Sequence, residues 1–201
     1  MSENVAQLRA RNLRTLAALA ALFLVPLVLA FFIYYGTGWR PAARVNHGTL
    51  ITPPRPLPPT SLAQRVPETA ASGPPLFRGK WSLVYVGNGA CDADCRAALY
   101  VMRQTRLALN TDMRRVARVF LVTADCCDRT FLAAEHAGLD VRDAAGPQAR
   151  ALLEAFPASD RAHTLFIVDP LGNLMMSYDA RQNPLGLLED LKKLLRLSQI
   201  G

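Results

Sequence analysis

Two cysteines between a strand and a helix are the residues of this chain best placed to do chemistry. Cys91 and Cys95 are separated by three residues, after the apolar run 81–86 and before a stretch with helical periodicity. A helix amino terminus lowers the pKa of a thiol, and two thiolates at this spacing can close a disulfide or hold a soft metal ion. Asp92 and Asp94 oppose that effect, because their negative charge disfavours a further anion nearby. The pair predicts a redox or metal site and leaves the choice open.

One histidine is the candidate third member of this site. His163 directly precedes the apolar run 164–168. Two thiolates and an imidazole suit Cu(I), can adapt to Cu(II), and could hold Zn(II) if a further ligand completed four-coordination. The ordinary alternative is a surface or capping histidine.

The other sulfur-bearing residues predict less. Cys126 and Cys127 follow a second apolar run, and we expect one buried and one exposed thiol, because a disulfide between neighbours closes a strained ring. A second metal or redox site is the alternative. Met175 and Met176 lie on a predicted strand, so we expect them to pack rather than to bind metal.

The elements that must position these residues follow the order of an α/β domain, which we assign to residues 78–201. The first two predicted strands are joined by a helix long enough to make them parallel neighbours, and a turn at residues 169–173 makes a hairpin of the last two. This is the order of a thioredoxin-like domain, a central mixed sheet flanked by helices. There, chemistry occurs where the first strand meets the first helix. The predicted elements are strands 81–86, 116–123, 164–168 and 174–178, and helices 93–110, 130–137, 147–156 and one beginning at Pro184.

An apolar segment near the amino terminus predicts a membrane anchor. Residues 15–35 carry no charge and would span roughly 30 Å as a helix. A cleaved signal peptide is the alternative, but the run is longer than the usual signal core.

Flanking charge orients this helix. Three arginines precede it and two closely follow it, which favours a cytoplasmic tail, residues 1–14, and a domain in the periplasm of a bacterial-type inner membrane. Oxidising surroundings suit a domain with four cysteines.

Residues 36–77 predict an extended spacer. Seven prolines between residues 41 and 67 argue against both helix and ladder formation. Residues 45–51 could form a short strand, but we expect His47 to be a solvated linker residue.

The net charge of +7 does not indicate a nucleic-acid partner. Residues 1–77 carry +5 of it and residues 78–201 only +2. The predicted domain has no basic patch with interleaved aromatic residues, so nucleic-acid binding is not expected.

Together these features resemble the Sco/SenC family of membrane-anchored cytochrome oxidase assembly proteins. The resemblance rests on the anchor, the C-x-x-x-C loop, the late histidine, and the strand ending in Asp169-Pro170-Leu171-Gly172. It implies that Cys91, Cys95 and His163 bind copper and deliver it to the copper site of a respiratory oxidase subunit, or act as a thiol-disulfide reductase that prepares that site. The chain departs from the family pattern at Arg96, where the family usually has proline.

Three functions follow from these features. The first is a copper chaperone, a binding protein without enzymatic turnover. The second is a membrane-tethered thiol-disulfide oxidoreductase, in which Cys91 and Cys95 attack and resolve the disulfide of a partner and His163 is incidental. The third is a thioredoxin-fold interaction module with a static disulfide.

Overall fold

The computed structural model describes residues 2–37, 46–66, 76–159, 161–198 and 200, in two compact units divided after Val45. The first unit contains one helix, α1 (Ser2–Gly36), with Pro26 inside it. An 18-residue window of its segment Arg9–Gly36 has a mean hydropathy of 2.9, and none of the side chains in that window is buried against protein. By length and composition this segment can cross a membrane, which fits an anchor.

The second unit is built on a seven-stranded mixed sheet. Its strand order is β1-β7-β6-β3-β4-β5-β2. The strands are β1 (Thr49–Pro56), β2 (Gln64–Val66), β3 (Trp81–Gly87), β4 (Val116–Val122), β5 (Asp140–Asp143), β6 (Thr164–Val168) and β7 (Asn173–Asp179). Within the described residues, its α-helices are α2 (Ala93–Leu107), α3 (Arg129–Glu135), α4 (Arg150–Ala155) and α5 (Pro184–Leu197).

The predicted topology is confirmed at its centre. Strands β3 and β4 are parallel neighbours, and β6 and β7 form an antiparallel hairpin. Every residue of β3 from Trp81 to Val86 is buried, because the sheet is covered on both faces. Alternate side chains therefore enter two cores, with Leu83 and Tyr85 on the α2 and α5 side and Val84 and Val86 on the α4 side.

The two longest helices of this unit follow from simple sequence signals. In α2 the buried side chains recur at three- or four-residue intervals from Cys95 to Thr105, and Asp92 caps the first turn. In α5, Pro184 occupies the first turn, and Leu187, Leu191 and Leu195 form a buried stripe. Both helices lie against the same face of the sheet, so β3 is held firmly just before the cysteine loop.

The structure corrects our expectation for the proline-rich segment. Residues 46–66 supply β1, which pairs with β7, and β2, which pairs with β5 at the opposite edge. Leu57 and Leu62, between these strands, are buried in the α4-side core. The prolines are tolerated because β1 is an edge strand with a partner on one side only. The compact unit therefore extends to Asn46, N-terminal to the boundary we expected at residue 78.

His47 is exposed, as we expected, but it is held by α5 and does not belong to a linker. The backbone amides of His47 and Gly48 both donate to Asp190 Oδ2 at 2.8 Å. The His47 Nε2 atom lies 2.9 Å from Glu189 Oε2. Asp190 is only 4% exposed, so this buried carboxylate fixes the start of β1 against α5.

Candidate functional site

The structure places Cys91 and Cys95 at the junction of β3 and α2 and joins them in a disulfide. Cys91 lies just before α2 with a left-handed φ of 49°, and its amide donates to Asn88 O at 3.2 Å. The Cys95 amide donates to Asp92 Oδ1 at 3.0 Å, so the cap of the helix sits between the cysteines. Their Cα atoms are 5.0 Å apart, and each residue is 2% exposed. Of the chemistries that the spacing allowed, the structure holds the oxidised pair.

His163 lies over the segment between the two cysteines. It ends the short turn Arg161–His163 that leads into β6, and this turn contacts both α2 and β3. Its Nδ1 atom is 3.7 Å from Asp94 Oδ1, and its side chain is 19% exposed. Among the described residues, no group of three His, Cys, Asp or Glu side chains is arranged to hold a metal ion. The ligand set Cys91, Cys95 and His163 therefore stays a prediction.

Tyr85 holds the histidine-bearing turn in place, a role that the apolar pattern of β3 gave no reason to expect. Its hydroxyl donates to Ala162 O at 3.1 Å, one residue before His163. Burial, followed by the nearby charges of Asp92 and Asp94, raises the pKa of Tyr85 to about 12. The phenol is therefore a neutral hydrogen-bond donor at physiological pH.

A cavity of about 430 Å³ lies beside Cys95, lined also by Tyr85, Asp92 and Arg161. The Arg161 guanidinium donates to the carbonyls of Leu153, Phe156 and Pro157, so it is fixed as part of the wall. The volume is in the range of small-molecule and side-chain pockets. A small ligand in this cavity would lie next to Cys95, which is otherwise buried.

Arg96 links the cysteine loop to the loop that follows β4. Its Nε donates to Cys91 O at 3.1 Å, and its Nη2 pairs with Asp128 Oδ2 at 2.9 Å. The guanidinium lies 4.1 Å from the centre of the Phe131 ring. In the sequence, Arg96 stands out only as a departure from the family pattern. The sequence separation of Arg96 and Asp128 does not predict their contact, because the two residues belong to different structural elements.

The structure also corrects our expectation of two free thiols at Cys126 and Cys127. Their sulfurs are joined, with the Cα atoms 3.1 Å apart. These residues lie in the loop between β4 and α3, where no ladder constrains the backbone and neighbouring side chains can turn to the same side. Cys126 is exposed and Cys127 is half-buried. Met175 and Met176 pack against the α2-side core, which confirms their predicted role.

The comparisons with known proteins agree with this architecture. A family model described as a transmembrane-like, thioredoxin-like, C-terminal domain matches residues 81–198. The chain is similar in fold to the solution structure of apo Sco1 from Thermus thermophilus, with 19% identity, a TM-score of 0.57, and coverage of 77% of this chain and 100% of that one. No curated protein matches it.

Two further Sco structures show the same likeness. Yeast Sco1 with copper bound has 13% identity and a TM-score of 0.58, over 71% of this chain and 94% of that one. BsSco, a member of the Sco family of cytochrome c oxidase assembly proteins in which a disulfide switch was identified, has 14% identity and a TM-score of 0.52, over 72% and 96%. These TM-scores, all above 0.5, show a shared fold and confirm the predicted thioredoxin-like architecture. The chain therefore belongs to the family of proteins with a transmembrane-like, thioredoxin-like, C-terminal domain.

Proposed function

We propose that this protein is a membrane-anchored copper chaperone that serves the assembly of a respiratory cytochrome oxidase. Copper is its cargo, held by Cys91, Cys95 and His163. The observation that carries the proposal is the position of His163, whose Nδ1 atom lies 3.7 Å from Asp94 in the middle of the cysteine segment. The likeness in fold to yeast Sco1, which was solved with copper bound, supports it.

The donor set fits copper only after the disulfide is reduced. Two electrons and two protons convert Cys91–Cys95 into two thiols, and thiolates are the form of cysteine that binds metal. Two soft sulfurs and one imidazole suit Cu(I) better than a hard cation. The cavity beside Cys95 supplies a path for the ion to a pair that is only 2% exposed.

The apolar helix gives this chaperone its location. We place Arg9–Gly36 in the inner membrane of a bacterial-type cell and the sheet domain in the periplasm. Its partners there are the copper-site subunit of the oxidase and a thiol-disulfide protein that keeps the cysteines reduced.

Copper retention by the reduced full-length chain in detergent tests this proposal. One equivalent of Cu(I) is added anaerobically, and the bound fraction is measured in competition with a chromophoric Cu(I) chelator. We expect wild type to retain one ion, His163→Ala to bind at least about tenfold more weakly, and Cys91→Ser to retain none. His47→Ala, which removes an imidazole that pairs with Glu189 of α5, is the matched control. Equal affinity in His163→Ala and wild type would remove the histidine from the site.

A thiol-disulfide oxidoreductase is the second candidate, favoured by the disulfide between Cys91 and Cys95. In this function the reduced pair transfers two electrons to a partner disulfide and returns to the oxidised state. Failure of the reduced protein to retain copper, together with rapid exchange with a dithiol, would select it over the chaperone. A pair that resists reduction would select the interaction module with a static disulfide.

A further inference from the structure

The proposed function leaves the second cysteine pair, Cys126 and Cys127, without a role. This pair is more exposed to solvent than Cys91 and Cys95. Cys91 and Cys95 are each 2% exposed, whereas Cys126 is exposed and Cys127 is half-buried. In thiol-disulfide exchange, the thiolate of a partner protein attacks a disulfide sulfur directly, so that sulfur must be accessible. Cys126–Cys127, the outer pair, is open to such a partner. Cys91–Cys95, the inner pair, is covered.

The backbones beside the two pairs are in direct contact. The Gly89 amide donates to Ala124 O at 2.8 Å, and the Asp128 amide donates to Gly89 O at 3.3 Å. A Cβ atom on Gly89 would lie 2.8 Å from the Cα of Cys126, so no side chain fits between the loops. Gly89 is two residues before Cys91, and Asp128 directly follows Cys127. The two disulfide-bearing loops therefore form one packed unit.

Side chains reinforce this unit. Arg96 bridges Cys91 O and the Asp128 carboxylate, at 3.1 and 2.9 Å. Cys127 packs against the same apolar core that contains Cys91 and Cys95. Cys127 is thus the inward member of the outer pair. In the Cys91–Cys95 pair, Cys91 is the member nearer in sequence to Gly89, whose backbone contacts residues 124–128. We therefore take Cys91 as the member that faces Cys127.

A small cavity lies at Cys126, the outward member of the pair. A cavity of about 260 Å³ is lined by Cys126 together with Asp125, Arg65, Arg129 and Asp143. Arg65 and Asp143 pair with one another across it. The opening beside Cys126 therefore has side chains of both charges in its wall.

We propose that Cys126–Cys127 is an electron-accepting site for a dithiol protein, and that it passes the electrons on to Cys91–Cys95. This inference rests on the proposed function in one respect, namely that the inner pair must become a dithiol before it acts. It does not depend on which metal, if any, the dithiol then binds.

Each step is a balanced thiol-disulfide exchange. A thiolate of the donor attacks the exposed Cys126 sulfur, the Cys126–Cys127 bond breaks, and Cys127 leaves as a thiolate. The second donor thiol then releases Cys126, and the donor departs as a disulfide. The Cys127 thiolate attacks Cys91, Cys95 leaves, and Cys126 resolves the Cys91–Cys127 bond. Two electrons and two protons have moved inward, and the outer disulfide is restored.

The first test compares a protein reductant with a small one on the full-length chain in detergent. Reduction of Cys91–Cys95 is followed by rapid alkylation and mass spectrometry of the peptide that contains both residues. With a thioredoxin as donor, we expect the variant Cys126→Ser/Cys127→Ser to be reduced at least about tenfold more slowly than wild type. With a small phosphine, which can enter the cavity beside Cys95, we expect rates within about threefold of each other. Equal rates with thioredoxin would overturn the proposal.

The second test traps the internal exchange. The variant Cys95→Ser/Cys126→Ser keeps Cys91 and Cys127, and its matched control Cys91→Ser/Cys126→Ser keeps Cys95 and Cys127. After treatment with oxidised glutathione, we expect an internal disulfide in the first variant at several times the yield of the control. Absence of the Cys91–Cys127 bond in the first variant would overturn the relay. Loss of copper retention in a phosphine-reduced wild type would refute the chaperone and leave both results intact.

Discussion

The pH dependence of folding should report one buried histidine, His136. It is 2% exposed, its ring lies 4.9 Å from that of Phe131, and its Nδ1 atom has no hydrogen-bond partner among the described residues. Burial, then the charges of Arg103 and Arg118, lower its pKa from 6.5 to about 4, against a smaller opposite effect of Glu135. The folded protein therefore keeps this imidazole neutral where an unfolded chain would protonate it.

The size of the effect follows from linkage. Well above pH 6.5, His136 is neutral in both the folded and the unfolded state, so its titration takes nothing from the free energy of unfolding. As the pH falls below 6.5, the unfolded state binds the proton first, so stability is lost progressively until the folded pKa near 4 is passed. For these two pKa values, the loss of unfolding free energy between pH 7.5 and pH 5 is about 2 kcal/mol.

Urea unfolding of the full-length chain in detergent, followed by tryptophan fluorescence, measures this loss at the two pH values. We expect the variant His136→Gln to be less stable than wild type at pH 7.5, because it alters a packed site, but to lose about 2 kcal/mol less between the two pH values. His136→Phe, which keeps a ring against Phe131, should show the same flat response. Parallel pH dependence in wild type and both variants would refute the assignment.

Three substitutions test the packing that positions the site. Leu99 lies on the buried face of α2 and is 0% exposed, so Leu99→Ala should lower the free energy of unfolding by about 3 kcal/mol in a urea titration; a loss below about 1 kcal/mol would contradict its place in the core. Asp190→Ala should cost about 2 to 3 kcal/mol and speed hydrogen exchange at the His47 and Gly48 amides, which lose their shared acceptor; unchanged exchange would argue against that contact. Gly89→Ala should cost about 2 kcal/mol, because its Cβ would meet backbone atoms at 2.8 Å; a neutral effect would mean that the two loops are less closely packed.

The central elements were predictable because each has a strong periodic signal. Continuous apolar runs are typical of strands buried on both faces, and β3 and β4 have them. A leucine stripe is typical of a helix with one buried face, and α5 has it. Strands β2 and β5 were missed since they have only three and four residues, with several charges, and their pairing depends on neighbours distant in sequence. The sequence indicated only a possible strand at residues 45–51 where β1 lies, because its prolines argue against a ladder.

The site was predictable in its position and less so in its contacts. The strand-to-helix junction placed Cys91 and Cys95, because that junction follows from the order of elements. The position of His163 beside Asp94 depends on how the turn before β6 lies against α2, which requires the three-dimensional structure. The Arg96 bridge and the joined sulfurs of Cys126 and Cys127 likewise follow from loop conformation, for which the local sequence carries no periodic signal.

The three prolines of β1 have a consequence for the behaviour of the protein in solution. An open sheet edge offers free amides and carbonyls to which a strand of another molecule can add, and this is a common start of aggregation. Pro53, Pro54 and Pro56 have no amide hydrogen to offer, and β1 is the outermost strand on its side of the sheet. Residues that argued against a strand thus make this one a poor template for a second copy of the chain.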